Sequence, residues 1–257
     1  MKQVLSLSLG LSLLLSCQSV DRSEPFVEEG FANPELLVTT EWLEEHLSSE
    51  DLRIVDARPK TDYDESHIPG AVSVPRSDTF DPNGERSIVG SAEHISSLFG
   101  TVGIDETHQV VVYDGGRATA AARVLWTLEH YGHPHVSVLD GGMNKWSMES
   151  RPQSVAVPDP SARVFRAMSE RESRSTRESV LADIGDASVV MLDARGLDEF
   201  TGERVLSSRG GHIPGAVHLE WTDNFTDDDT PVLKSPFVLA SMYERAGVTR
   251  DKRVHAY

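Results

Sequence analysis

Ile54-Val55-Asp56-Ala57-Arg58, followed by Ser66-His67-Ile68-Pro69-Gly70-Ala71, decides the reading of this chain, because the chain writes it twice. The second version runs Met191-Leu192-Asp193-Ala194-Arg195 and then Gly211-His212-Ile213-Pro214-Gly215-Ala216. A strand-like run ending in tyrosine comes next in each: Val110-Val111-Val112-Tyr113 in the first copy, Arg253-Val254-His255-Ala256-Tyr257 in the second. His212 trails His67 by 145 residues and Tyr257 trails Tyr113 by 144, so from histidine to tyrosine the register barely drifts, as tandem duplication predicts. The position following Tyr257 is the twin of Asp114.

Outward from these motifs the pattern is α/β. Residues 35–38 read as a short strand. Residues 39–47 read as a helix with Thr39 or Thr40 as N-cap and glutamate in its first turn. Residues 52–56 form an apolar strand of the kind buried on both faces of a parallel sheet. A polar loop over 80–89 leads to a helix at 92–99, a strand at 109–113, an Ala-rich helix at 119–131 and a strand from Val136 into the Gly141-Gly142 turn. Strands alternating with helices across short connections predict a parallel sheet with helices on both faces.

A Pro- and Ser-rich linker follows, and then a second round. Its expected parts are a strand near 163–168, a helix at 176–184, a strand at 189–193, a long loop carrying His212, a helix at 236–246 and a strand at 253–257. The Ala-rich helix and final strand of the first round have no second version, so the second domain is expected to be truncated, with apolar sheet surface left uncovered and poor stability. The predicted organisation is therefore a signal segment at 1–17, a tether at 18–34, a first domain at 35–150, a linker at 151–162 and a second, incomplete domain at 163–257.

Bulk properties narrow the function. Of the 257 residues, 39% are hydrophobic and 25% charged, which describes a globular protein and not a disordered one. A formal charge of -17 argues against nucleic acid as a partner, since phosphate binding needs a basic face. Lys2 followed by an apolar run of roughly 12 residues is too short to span a bilayer but right for a signal-peptide core. That run ends Leu14-Leu15-Ser16-Cys17, which resembles a bacterial lipobox. The resemblance implies acylation of Cys17 and a lipid anchor in the cell envelope. Gln18 at the next position favours the outer membrane, periplasmic side, in a Gram-negative cell. Cys17 is the only cysteine, so no disulfide forms within the chain, and once acylated it offers no thiol.

The duplicated Asp-Ala-Arg and His-Ile-Pro-Gly-Ala motifs, with Val138-Leu139-Asp140-Gly141-Gly142-Met143-Asn144-Lys145-Trp146 closing the first copy, resemble the rhodanese superfamily, specifically its tandem-domain sulfurtransferases. The resemblance covers roughly residues 35–257. It implies a strand that ends in a tight loop of inward N–H groups with a helix beginning at once, an arrangement that holds a cysteine as thiolate. It also implies that the nucleophile belongs to the C-terminal copy, in a Tyr-Cys sequence. The cysteine is thus expected immediately after Tyr257, outside these 257 residues, and the chain as it stands is expected to be inactive. Asp114 takes the cysteine position in the first copy, followed by Gly115-Gly116-Arg117. A carboxylate carries no sulfane sulfur, so Asp114 is expected to cap the helix, and Arg117 to be a solvated side chain of this inactive loop.

By the same resemblance Arg195 lies near the active pocket, as a substrate- or loop-holding residue or as a structural ion pair. Glu199 stands where thiosulfate-using vertebrate relatives carry an arginine that grips the donor. The acidic side chain matches many bacterial members and leaves the donor open, with thiosulfate leading and 3-mercaptopyruvate second. Asp56 and Asp193 read as acceptors for loop amides, and His67 and His212, present in both copies, as parts of the turn. The acidic runs 81–85 and 223–229 lack calcium-loop spacing and read as solvated loops. No metal or cofactor is expected. The expected partners are a small sulfur donor, a thiophilic acceptor and, through the anchor, a membrane. The alternative is a non-catalytic, membrane-anchored binding module of the same fold, and a phosphatase-like activity ranks third.

Overall fold

A computed structural model of the chain describes residues 30–84, 88–168 and 174–257. The signal-like segment, Cys17 and all but the end of the tether lie outside the described residues. Among those described, no helix is long and apolar enough to cross a membrane.

The first sheet contains β1 (Leu37–Val38), β2 (Leu52–Asp56), β3 (Val72–Ser73), β4 (Gln109–Tyr113) and β5 (Val136–Leu139). They lie in the order β1-β5-β4-β2-β3, all parallel. Helices cover both faces, as the alternating pattern predicts. One core packs α3 (Ala92–Thr101) and α4 (Thr119–His130) onto Val55, Val110, Val112 and Val138. The other packs α1 (Thr40–His46), α2 (Lys60–Glu65) and α5 (Gly142–Met148) onto Val38, Ile54, Val111 and Leu139. Every residue of β4 after Gln109 is buried, which explains its unbroken apolar run.

After β2 the chain moves outward to β3, whereas after β4 it moves the other way to β5. The crevice at the carboxyl ends of β2 and β4 is therefore the topological switch point, where open α/β sheets place their sites. Asp56 and Tyr113 are register partners at that edge.

The second sheet repeats the inner part of the first. It holds β6 (Val189–Asp193), β7 (Val217–His218) and β8 (Arg253–Ala256), parallel in the order β7-β6-β8. With it go α6 (Arg177–Asp183), α7 (Leu197–Thr201) and α8 (Pro236–Arg245). Thr176 and Ser179 form a reciprocal capping box at the start of α6. The loop expected to carry His212 holds α7, β7 and a 3₁₀ turn at Trp221–Asn224.

Two expectations change. Residues 35–38 are a 3₁₀ turn, Pro34–Leu36, followed by a two-residue strand. The strand expected at 163–168 does not form: the segment is extended but joins neither sheet. It docks on the first domain, where Phe165 enters the core beside Phe99, while Val164 and Met168 point outward. Burial in this segment centres on Phe165, with exposed residues on either side of it. The segment's partner is a helical surface.

Candidate functional site

The two switch points share one design. In the first copy, Arg58 donates through Nε and Nη2 to both oxygens of the fully buried Asp56 carboxylate, at 2.6–3.1 Å, and through Nη2 to Ser66 O at 2.6 Å. The Arg58 backbone N–H donates to the same carboxylate at 2.9 Å. Tyr113 donates its hydroxyl proton to Asp56 Oδ2 at 2.7 Å and accepts the Ile68 N–H at 3.1 Å. The Arg58 guanidinium lies 5.6 Å from the centre of the Tyr113 ring. A carboxylate, a guanidinium and a phenol thus lock the strand ends to the His-Ile-Pro-Gly turn.

The second copy repeats this nearly atom for atom. Arg195 donates to Asp193 at 2.9 and 2.5 Å and to Gly211 O at 2.9 Å. Tyr257 accepts the Ile213 N–H at 2.9 Å, and the Arg195 guanidinium sits 5.2 Å from its ring centre. The strands are pinned alike: Ala57 N–H donates to Tyr113 O and Ala194 N–H to Tyr257 O, both at 2.9 Å.

Charges follow the geometry. Burial opposes the Arg58 charge, but the Asp56 carboxylate outweighs it and raises the guanidinium pKa. Burial, with Asp56 adding to it, drives the Tyr113 hydroxyl well above its ordinary range, so it stays a donor. In the second copy the hydrogen bond to Asp193 raises Arg195. Burial alone would raise the Asp193 carboxyl, yet the bonds from Arg195 hold it below the usual carboxylate range. Glu199, on α7, places Oε1 3.9 Å from Arg195 Nη1. The same guanidinium therefore faces two carboxylates, one buried and bonded, the other at ion-pair distance.

Beyond Tyr113 the first loop is in view. Asp114 is 6% exposed, and its carboxylate accepts four backbone N–H groups: Gly116 at 2.8 Å, Ala118 at 3.1 Å, Ala120 at 2.9 Å and Ala121 at 3.3 Å. This is an anion nest at the start of a 12-residue helix, with a side chain of the protein as its anion. Gly142 (φ 53°) keeps the nest closed, since a Cβ there would stand 2.5 Å from Asp114 O. Arg117 is exposed at the rim.

Above the nest lies a cleft of about 510 Å³, walled by Arg58, Asp62, Arg117 and Asn144 from the first copy and by Asp228, Asp229 and Pro231 from the second. The acidic run 223–229 is thus one wall of an inter-domain cleft as well as a largely exposed loop. Sequence reasoning missed Asn144 and Asp62. It used the two tyrosines only as register marks, although their recurrence at matched spacing was the available signal for their shared bonding role.

The histidines sit outside the crevice. His67 is fully buried, stacked on Tyr63 at 3.9 Å, with Nδ1 2.8 Å from Tyr63 O and Nε2 3.1 Å from Ala156 O. His212 stacks on Phe200 at 3.8 Å, with Nδ1 2.8 Å from Phe200 O, but is exposed. Tyr63 precedes its histidine by four residues and Phe200 by twelve. The second copy therefore carries an eight-residue insertion there, closed at its base by Gly202 against Gly211. Among the described residues no group of three or more His, Cys, Asp or Glu is placed to hold a metal.

Comparison with known proteins agrees with this duplicated architecture. Residues 39–149 and 176–257 match the family described as Rhodanese-like domain. A thiosulfate sulfurtransferase of Azotobacter vinelandii is 33% identical over 227 residues, spanning 88% of this chain and 83% of that protein. Sulfur carrier protein TtuD of Thermus thermophilus is 32% identical over 242 residues, spanning 89% and 84%. The crystal structure of SseA from Escherichia coli, described for the rhodanese fold and the catalytic mechanism of 3-mercaptopyruvate sulfotransferases, aligns with a TM-score of 0.78 at 26% identity, covering 86% of this chain and 87% of that one. The chain belongs to the rhodanese superfamily and carries two rhodanese-like domains in tandem.

Proposed function

We propose that this protein is a sulfurtransferase that moves sulfane sulfur from thiosulfate, or from 3-mercaptopyruvate, to a thiophilic acceptor such as cyanide or a thiol. The carrier is a persulfide on a cysteine at the position following Tyr257. One observation carries the reading: the Asp193–Arg195–Tyr257 lattice reproduces the Asp56–Arg58–Tyr113 lattice, whose strand opens directly into a nest of inward N–H groups. In the first copy that nest already stabilises an anion, the Asp114 carboxylate. A cysteine in the equivalent nest is favoured as thiolate for the same reason.

The chemistry then needs no metal or cofactor. The thiolate attacks the outer sulfur of thiosulfate, the S–S bond breaks, and sulfite leaves with the electron pair. Cyanide attacks the outer sulfur of the resulting persulfide, forming thiocyanate and returning the thiolate. Arg195, beside the Tyr257 ring, serves as the local cation that draws a dianionic donor into a strongly acidic protein, and Glu199 moderates that pull. Arg117 and Asp114 belong to the first loop, which does no sulfur chemistry. Acyl chains on Cys17 hold the protein to the cell envelope, on the periplasmic side of a Gram-negative membrane.

The test is thiocyanate formation from thiosulfate and cyanide by the full-length protein, repeated with 3-mercaptopyruvate. Turnover with one donor supports the reading, and none with either sinks it. A polypeptide of residues 1–257 alone, with Cys17 as its only cysteine, is expected to show no turnover. For the anchor, Cys17→Ala is expected to move the protein from the membrane fraction to the soluble one; unchanged partitioning removes that part.

Asp114 favours a second reading, since it shows that one copy dispenses with the nucleophile: a membrane-anchored binding module without turnover. The residue after Tyr257 in the native protein separates the two. Cysteine there supports the enzyme, and aspartate or glycine supports the module.

A further inference from the structure

The connector between the two sheets is seated on the first domain through one large buried side chain. Phe165 is 4% exposed, lies against Phe99 with ring centroids 5.5 Å apart, and stacks on the His133 ring at 6.0 Å and 7°. Around it the connector backbone is bonded to the first domain. Arg163 N–H donates to Gly100 O at 2.9 Å, Ala167 N–H to Ser96 Oγ at 3.2 Å and Met168 N–H to Tyr131 O at 2.9 Å.

His133 is itself buried, and its hydrogen bonds define its protonation state. Nδ1 accepts the His135 N–H at 3.3 Å. The ring proton is therefore on Nε2, which donates to Asp105 O at 3.1 Å. The neutral ring satisfies both nitrogens. A second proton would have to sit on Nδ1, facing another N–H with no acceptor.

The neighbouring His108 differs. Its Nδ1 accepts the Asp105 N–H at 3.2 Å but also has Asp105 Oδ1 at 3.0 Å, ready to accept if the ring is protonated. The other charged or titratable groups around the pair are His135, Arg53 and Arg163, the last 3.8 Å from Asp105, with Arg166 and Glu106 paired at the rim. The Tyr131 hydroxyl donates to Gly90 O. Burial is the main force holding His133 below the ordinary histidine range, reinforced by His135 and His108 and opposed by Asp105. Burial also lowers His108, reinforced by Arg53 and opposed by Asp105.

We propose that His133 is an acid-sensitive latch for the connector: the neutral ring seats Phe165, and acidification releases residues 161–168 from the first domain and loosens the tie between the two domains. The sign follows from linkage. A histidine kept neutral by burial costs nothing at pH 7.5, and progressively more as pH falls through the ordinary histidine value of about 6.5. By pH 5.0 the docked state is disfavoured by up to about thirtyfold, the limit set when the folded ring takes no proton at all. The latch is independent of the sulfur chemistry proposed above.

Amide hydrogen exchange on the full-length protein at pH 7.5 and 5.0, corrected for intrinsic exchange, tests it. The Arg163, Ala167 and Met168 amides report docking, and Val111 and Val112 in β4 serve as reference. Connector protection is expected to fall threefold to thirtyfold while the reference holds. His133→Asn, which donates and accepts without titrating, should remove the pH dependence, and His108→Asn should keep most of it. Phe165→Ala should lower connector protection at both pH values, showing that these amides read docking. Equal protection at the two pH values, an unchanged pH dependence in His133→Asn, or a loss shared equally by Val111 and Val112 would overturn the proposal.

Discussion

The ends of β4 and β8 are built from the same carboxylate, guanidinium and phenol, held at nearly the same distances, yet they stand in different surroundings. β4 is a central strand between β2 and β5, buried from Val110 onward. β8 pairs with β6 alone among the described strands, and only His255 of its four residues is buried. The bonding lattice is therefore local. It forms in both copies from the same three parts: the Asp-Ala-Arg strand end, the His-Ile-Pro-Gly turn and a tyrosine one strand away. The cover decides how much each bond contributes, because a bond to a buried charge counts for more than one open to water.

Arginine substitution should split the two copies most widely. Arg195→Ala is expected to lower kcat/KM for thiosulfate by about 100-fold or more, as the loss of a preorganised electrostatic contact does. Arg58→Ala should leave turnover within about twofold. Its penalty falls on stability, about 3–5 kcal/mol in urea unfolding, because Asp56 stays fully buried without its partner. Equal activity losses in the two variants would mean that the copies share one functional site across the cleft.

The histidines sharpen the contrast in packing. His67 lies under the connector, exchanging backbone bonds with Ser154 and reaching Ala156 O, whereas His212 has its stacked ring and one carbonyl. His67→Ala is expected to cost about 2–4 kcal/mol. In a polypeptide of residues 1–257, where His212 is exposed, His212→Ala should cost less than about 1 kcal/mol, as exposed substitutions do. Thermal unfolding measures both, and a reversed order would refute the claim that cover sets the contribution.

Asp114 offers a finer test inside the first loop. Asp114→Ala strips the acceptor from four N–H groups and is expected to cost about 1–3 kcal/mol, with no change in thiocyanate turnover. Asp114→Asn keeps an acceptor oxygen and should recover part of that loss. A change in turnover would assign the first loop a catalytic part.

Most of this architecture is legible in the sequence, for a physical reason. Strands buried on both faces must be continuously apolar, and a duplicated turn must repeat its Pro and Gly, so both leave marks in one dimension. The role of Tyr113 leaves a fainter mark, because a phenol serving a turn 45 residues away looks like any apolar strand residue. The docking of Phe165 is less visible still. An extended segment looks alike whether it meets a strand or a helix surface, and only the fold supplies the pocket beside His133. The cleft wall at Asp228 and Asp229 is invisible for a related reason, since exposed carboxylates carry no periodicity to say which surface they face.

The smallest expected difference concerns how the first domain is tied at its edge. Arg151, where the connector begins, bonds Glu149 at 2.5 Å, Glu41 at 2.5 Å and Glu44, and Lys145 also pairs with Glu149. Burial would raise the Glu149 carboxyl, but the bonds from Lys145, Thr40 and Arg151 outweigh it and bring its pKa down to about 2. A carboxylate depressed in the folded state contributes stability that is fully present above its unfolded value of about 4.5 and is lost as pH falls toward about 2. Because Glu149 and its partner Lys145 are both partly exposed, screening limits the effect to roughly 1 kcal/mol or less. Glu149→Gln should therefore flatten the acid limb of the stability curve between about pH 4.5 and 2, change little at pH 7, and lose its effect in high salt. This acid limb lies well below the window in which His133 acts, so the two groups are separable in one titration. A Glu149→Gln variant that also abolished the change between pH 7.5 and 5.0 would show that the connector is held by its charged end and not by Phe165.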